Sequence, residues 1–312
     1  MTVLSTGSVA YDYILTFRGH FGDHILIEQK HQINLSFLVD SMQRRRGGVA
    51  TNYAYSLALL GHPVAILATV GQDGEEQKSW LEELGVDCQG LRILEHENTA
   101  TGFTTTDADQ NQITGYFGGA MMKADLLGLA DAPSPLETVI IGPNAPQAMF
   151  RLVRECRNEG IPWVFDPAHQ LPHLEREDLL EGCRGAWILI GNSYEMELIQ
   201  QRTETDLTGL LELCQMVVVT LGDQGSQIAT RDGVIDIPAA PVRQVVDPVG
   251  AGDAYRAGLV HGLLSGQSPE IAGRIAALAA AYAVEQTGTV EHHYTQAGFA
   301  VRYREAFGGD FE

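Results

Sequence analysis

The stretch Val245-Val246-Asp247-Pro248-Val249-Gly250-Ala251-Gly252-Asp253-Ala254-Tyr255-Arg256-Ala257-Gly258 decides how the chain is read. It starts like a strand end, turns through small residues, and opens an apolar, alanine-rich helix expected over 253–264. Gly250 and Gly252 lack Cβ atoms, so their peptide N–H groups can converge on a ligand. The first N–H groups of a helix have no intrahelical partner, and the helix dipole adds partial positive charge there. Together these features make an anion site. Asp253 lies in the same turn, where a carboxylate repels an anion unless it has chemistry to perform. That chemistry is to accept the proton of a nucleophile attacking a phosphoryl group. Gly-Ala-Gly-Asp alone fits an ordinary turn with Asp253 as helix N-cap just as well.

The longer pattern D-x-x-G-A-G-D-x-[FY]-x-x-G, which begins at Asp247, is more specific. It resembles the C-terminal signature of the ribokinase-like (PfkB-type) family of sugar and nucleoside kinases. Pro248 departs from the Thr or Ser usual there, and Tyr255 from the commoner Phe. The resemblance implies an α/β fold: a ribokinase-like three-layer α/β/α sandwich with a mostly parallel central sheet and a small β-sheet lid.

Composition sets the outer bounds. The 312 residues carry 20 Lys and Arg against 40 Asp and Glu, a formal charge of −20. Such a surface excludes nucleic acid as the expected partner, because phosphate backbones need local basicity. It does not exclude a small anion held by backbone N–H groups. Cys88, Cys156, Cys183 and Cys214 show no CxxC spacing and read as reduced thiols. No apolar run approaches the ~18 residues of a membrane span, and no leader-like segment stands out, so a cytoplasmic protein is expected.

Along the chain, residues 3–9 read as a strand, followed by a loosely alternating polar region, 14–42, expected to be a small exposed β element. Gly47-Gly48 leads into a helix over 51–60, then a buried strand, 64–70, and a helix, 74–84. Strands are expected at 99–107 and 113–117. From 138 onward, strands at 138–142, 163–166, 186–190 and 217–221 alternate with helices at 146–159, 176–183, 193–201 and 207–213. That rhythm implies a parallel sheet covered on both faces. A hairpin at 226–237, a helix at 269–285 and a last helix at 296–307 complete the reading. The chain is expected to form one domain, 1–312, with a lid built mainly from about 13–45 and 99–118.

Further motifs agree with the resemblance in order. Thr220-Leu221-Gly222-Asp223-Gln224-Gly225 follows a Val-rich strand, and alone it reads equally as a turn. The resemblance makes Thr220, Gly222 and Gly225, with Asn192 and Ala283, nucleotide-binding residues. There is no Walker A motif, so this is not a P-loop kinase. Asn192-Ser193-Tyr194-Glu195 fits a capping box on a helix. By resemblance, Asn192 and Glu195 also help hold Mg²⁺, directly or through water. Asp12, Gly48 and Asn52 are carried over as substrate-hydroxyl contacts; without that context Asp12 ends a strand and Asn52 is a plain helix residue. By analogy, Asp247 and backbone carbonyls of Val249, Ala283, Gln286 and Gly288 would surround K⁺. Arg44-Arg45-Arg46 reads as a solvated charge run that could also attract phosphate. Asp166 serves the Mg²⁺ or phosphate side, or caps its loop. The adjacent His292-His293 do not present one face to a metal.

The resemblance thus implies ATP-dependent phosphorylation of a primary hydroxyl, with Asp253 as base and Gly250, Ala251 and Gly252 in the anion turn. The segment 107–112, Gly118-Gly119-Ala120-Met121 and the C-terminal Glu285–Tyr294 stretch resemble the prokaryotic adenosine or nucleoside kinase branch, so adenosine is the expected acceptor. The alternatives are a kinase of free ribose, fructose or a related sugar, and a nucleotide-binding regulator without catalysis. A base-closing role is expected for some of Phe17, Phe21, Ile25, Ile33, Phe37 and Leu38; the competing reading is that they hold the lid together or form a homodimer contact.

Overall fold

A computed structural model describes residues 1–24 and 36–310. The elements in chain order are β1 (Thr2–Thr6), β2 (Ala10–Thr16), β3 (Ser41–Gly47), α1 (Val49–Leu59), β4 (Val64–Gly71), α2 (Glu75–Glu83), β5 (Asp87–Leu94), β6 (Ala100–Thr106) and β7 (Gln112–Phe117). There follow β8 (Leu136–Ile141), α3 (Pro146–Glu159), β9 (Trp163–Phe165), α4 (Arg176–Cys183), β10 (Ile188–Asn192), α5 (Ser193–Thr203), α6 (Leu207–Leu213), β11 (Met216–Thr220), β12 (Ser226–Thr230), β13 (Gly233–Ile237), α7 (Ala251–Leu264), α8 (Pro269–Val284) and α9 (Gln296–Phe307).

Strand alternation builds the three layers. In β4, Val64, Ile66, Ala68 and Val70 face one core with residues of α1, α2, α7, α8 and α9. Ala65 and Leu67 face the other, with residues of α3, α4, α5 and α6. Because both faces are covered, such strands read as continuous apolar runs. Each fully buried Val, Leu or Ile contributes roughly 1.5–3 kcal/mol by leaving water. The large sheet runs β13-β12-β11-β10-β9-β8-β1-β4-β5. Strands β5 to β11 of that order pair in parallel, and β12 and β13 are antiparallel. The chain leaves β1 toward β4 and β5, then returns on the other side to β8. The switch point therefore lies between β1 and β8, where open α/β sheets form their ligand crevice beyond the strand carboxyl ends.

The helix that carries the signature is seated by small residues. A Cβ at Gly262 would stand 2.7 Å from the Ala272 Cα, and one at Gly258 would stand 2.8 Å from the Ala276 Cα. Close contact with the alanine-rich α8 thus fixes α7.

The second sheet, β3-β2-β6-β7, has four strands. Register places Asp12 beside Arg45 and Gly102, and Gly102 beside Tyr116, on one face. The other face carries Tyr13, Leu15, Met42, Phe103, Ile113 and Phe117.

Beyond shifts of a few residues at element ends, such as β1 ending at Thr6 and β10 running to Asn192, three details depart from the sequence reading. The signature helix starts at Ala251, not at 253. Strand β5 was not expected, because Asp87, Gly90 and Arg92 interrupt its apolar run. The Arg44-Arg45-Arg46 run is not a free charged segment but part of β3, so its side chains alternate between faces. Arg44 and Arg46 pair with Glu76, while Arg45 lies on the Asp12 face.

Candidate active site

The glycine turn opens a helix as the sequence implies. Gly250 is the N-cap of α7 at φ 83°, a left-handed conformation that side chains rarely adopt. A Cβ there would also stand 2.9 Å from Thr289 Cα. The Ala251 N–H bonds to the Pro248 carbonyl. The N–H groups of Gly252 and Asp253 belong to the first turn, which leaves them free of intrahelical partners.

Asp253 accepts a hydrogen bond from Asn52 Nδ2 at 2.7 Å. Burial pushes its carboxyl up to about 6, against the pull of Arg256 and the Asn52 bond; Asp166 and Glu195 add to the rise. A carboxyl in that range is ionised at neutral pH yet basic enough to take a proton. Asn52 is 4% exposed, and its Oδ1 is buried with no hydrogen-bond partner. An unpaired buried acceptor costs free energy, and a ligand hydroxyl would relieve it.

Asn52 descends from Gly48, the N-cap of α1, whose φ is 91°. A Cβ at Gly48 would stand 2.5 Å from the Ser8 carbonyl oxygen. Across the second sheet, Asp12 lies between Gly47 and Gly102, and a Cβ on either would collide with its carboxylate. Burial raises the Asp12 carboxyl above its usual range. Tyr116 stands beside it, half-exposed, its hydroxyl pushed up to about 12 by burial. A cleft of about 560 Å³ opens between β3 and the segment after α8, lined by Gln43, Arg44, Arg45, Gln286, Thr287 and Glu291.

The opposite wall lies at the carboxyl ends of β9, β10 and β11. Asn192 Oδ1 accepts from the Glu195 N–H and Glu195 Oε2 from the Asn192 N–H, each at 2.8 Å. The capping box is therefore formed. Burial raises the Glu195 carboxyl. Thr220 pairs in register with Asn192. Gly222 opens a single 3-10 turn, and Gly225 closes it against the Ile237 carbonyl, where a Cβ has no room. Asp166 does not merely cap a loop. It is fully buried and bound by Arg256, at 2.9 Å from Nη2 and 2.6 Å from Nε, and by the Tyr53 hydroxyl.

Asp247 Oδ1 accepts from the Val249 N–H and Oδ2 from the Gly288 N–H, each at 3.0 Å. The Ala283 carbonyl accepts from the Gln286 N–H. The five residues linked by resemblance to K⁺ thus lie on two adjoining segments pinned by Asp247. Among the described residues no group of three His, Cys, Asp or Glu is arranged for a metal. His292 is buried, its imidazole pushed down to about 4, and its carbonyl takes the Tyr55 hydroxyl at 2.6 Å.

Phe17, Phe21 and Phe37 gather in one aromatic cluster. They stack on one another, with centroids 4.6 Å apart for Phe17–Phe37 and 5.8 Å for Phe17–Phe21. Leu38 is exposed. Ile25 and Ile33 lie outside the described residues. The aromatic on the Asp12 face is Tyr116. Sequence reasoning also passed over Arg256, although a charged residue three positions after Asp253 in an apolar helix is itself a signal.

A crevice at the switch point, with a glycine turn opening a helix and a buried carboxyl beside it, is the arrangement of a phosphotransferase of the ribokinase type. Residues 7–295 match the family described as pfkB family carbohydrate kinase, and the chain belongs to it. It is 34% identical over 291 residues to a nucleoside kinase of Methanothermobacter thermautotrophicus, covering 92% of this chain and 90% of that protein. The Burkholderia thailandensis nucleoside kinase, solved in complex with inosine, superposes with TM-score 0.89 at 35% identity, over 99% of both chains. Its structure in complex with ADP-inosine superposes at 0.87 and 36%, over 99% of this chain and 97% of the other. The Methanocaldococcus jannaschii nucleoside kinase, an archaeal member of the ribokinase family, gives 0.87 at 29%, over 97% and 98%.

Proposed function

We propose that this kinase transfers the γ-phosphoryl group of ATP to the primary ribose hydroxyl of a nucleoside, with adenosine as the acceptor. The observation that carries the proposal is the Asn52–Asp253 contact beneath the lid face that holds Asp12. The contact supports reading Asn52 as a ribose-hydroxyl partner next to Asp253 as base. Support for a nucleoside over a free sugar comes from the full-length likeness to nucleoside kinases and from Tyr116, an aromatic surface beside that cradle.

In this reading Asp12 and Asn52 hold the ribose hydroxyls, and Gly48 lets the ring approach. Asp253 takes the hydroxyl proton, and the Gly250–Asp253 turn stabilises charge on the transferring group. Asn192, Thr220, Gly222 and Gly225, with Ala283, hold the nucleotide. The amide and carboxylate oxygens of Asn192 and Glu195 suit a hard cation that keeps most of its waters. A Mg²⁺ ion held by Asn192 and Glu195 would supply neutralisation of phosphate charge. Asp247, Val249, Ala283, Gln286 and Gly288 are the residues that would hold K⁺, and ordering them around a cation would stiffen the adjoining Gly250–Asp253 turn. The small sheet acts as the lid of a single domain, and its outer apolar face is proposed to meet the same face of a second copy. An ATP-consumption screen across nucleosides and free sugars tests the acceptor. Adenosine should give the highest kcat/KM, and a faster free sugar would overturn the nucleoside reading.

A further inference from the structure

Arg256 lies within the first turns of α7, three residues from Asp253, and is 5% exposed. Arginine is almost never so buried unless paired. Its Nη2 donates to Asp166 Oδ1 at 2.9 Å, its Nε lies 2.6 Å from Asp166 Oδ2, and Nη2 lies 3.7 Å from Glu195 Oε2. Its Nη1 runs beneath the anion turn: a Cβ at Gly252 would stand 2.7 Å from it. One guanidinium therefore touches the signature turn, the end of β9 and the first turn of α5. The Tyr53 hydroxyl, from α1, completes the cluster on Asp166.

A buried ion pair is weak evidence of stabilisation, since apolar residues of like volume often pack as well. This one joins the two walls of the crevice, which an apolar contact would not hold in a fixed direction. We infer that Arg256 is a positioning residue for phosphoryl transfer: its fork to Asp166 and Glu195 locks the Gly252–Asp253 turn against the nucleotide-side wall. The inference rests on the reading of Asp253 as base.

Its electrostatic signature is specific. Asp253 is faced by Arg256 from its own helix, Asn52 and Tyr53 from α1, Asp166 from the end of β9 and Glu195 from α5. Arg256 draws the Asp253 carboxyl down, while Asp166 and Glu195 push it up. Arg256→Met should therefore move the acid limb of the kcat/KM–pH profile upward by about one unit and lower turnover roughly tenfold or more. Asp166→Asn removes a negative charge and leaves Arg256 freer to act on Asp253, so the limb should move downward. Arg256→Lys should restore the limb in part but not turnover, because an ammonium cannot fork.

The profiles are to be recorded from about pH 5 to about pH 9 with ATP, Mg²⁺ and adenosine. Opposite shifts for Arg256→Met and Asp166→Asn support the inference. Lowered thermal stability with an unmoved limb in both makes the cluster purely structural and overturns it. If Arg256→Met does not fold, the downward shift in Asp166→Asn decides the matter. An active Asp253→Asn protein would instead defeat the underlying reading of the base.

Discussion

Replacing Asp253 by Asn should disable the enzyme and stabilise the protein at the same time. The carboxyl rises on folding from 3.8 to about 6, chiefly through burial. A group with a raised folded pKa binds its proton more tightly in the fold than in the unfolded chain. Its contribution is favourable below about pH 4 and is lost as pH rises through about 6, leaving the folded state to carry the burial cost above that. The difference of about 2 pK units corresponds to about 3 kcal/mol at 1.36 kcal/mol each. Asn keeps the shape and can still accept from Asn52 Nδ2, but it carries no charge. Asp253→Asn should therefore be about 3 kcal/mol more stable than the parent at about pH 8, with the gain vanishing toward about pH 4. Turnover should fall by roughly 10²–10⁴, the usual worth of a general base. Urea melts across this pH range, paired with ATP-consumption rates, measure both. A variant no more stable than the parent at about pH 8, or one with near-parental turnover, would refute the reasoning.

Three further outcomes are expected. Tyr116→Ala should raise KM for adenosine by roughly 5- to 150-fold, the equivalent of ~1–3 kcal/mol of base stacking, and alter KM for ribose little; equal effects on both would remove Tyr116 from the base site. Activity should rise when K⁺ replaces a large organic cation at matched ionic strength, and equal rates would count against the K⁺ shell around Asp247. Phe103→Glu, on the outer lid face, should shift the protein toward monomer in sedimentation at fixed concentration; an unchanged sedimentation profile would place any dimer contact elsewhere.

How much of this was legible in the sequence depended on the kind of constraint. Close backbone approach restricts residue type sharply, so the turn around Gly250 and the Gly48 entry to α1 stand out as letters. The α/β rhythm after residue 138 was equally plain, because strands covered on both faces become apolar runs. What failed were properties of pairing. Arg45 reaches the Asp12 face only because β3 pairs with β2 in a particular register, and three consecutive arginines do not reveal that. Phe17 and Phe37 stack on one another across 20 residues of sequence, a pairing that their positions do not reveal. The Asp166–Arg256 pair spans 90 residues and has no local signature. Strand β5 was hidden because an edge strand tolerates Asp87 and Arg92 where a central one would not.

The most direct test of the central claim is identification of the phosphorylated product when the protein is given ATP, Mg²⁺ and a mixture of adenosine, inosine, ribose and fructose. Phosphorus NMR of the mixture should show ADP and a nucleoside 5′-monophosphate appearing together, with AMP formed fastest. Preferential formation of a sugar phosphate, or binding of ATP with no product from any acceptor, would contradict the account.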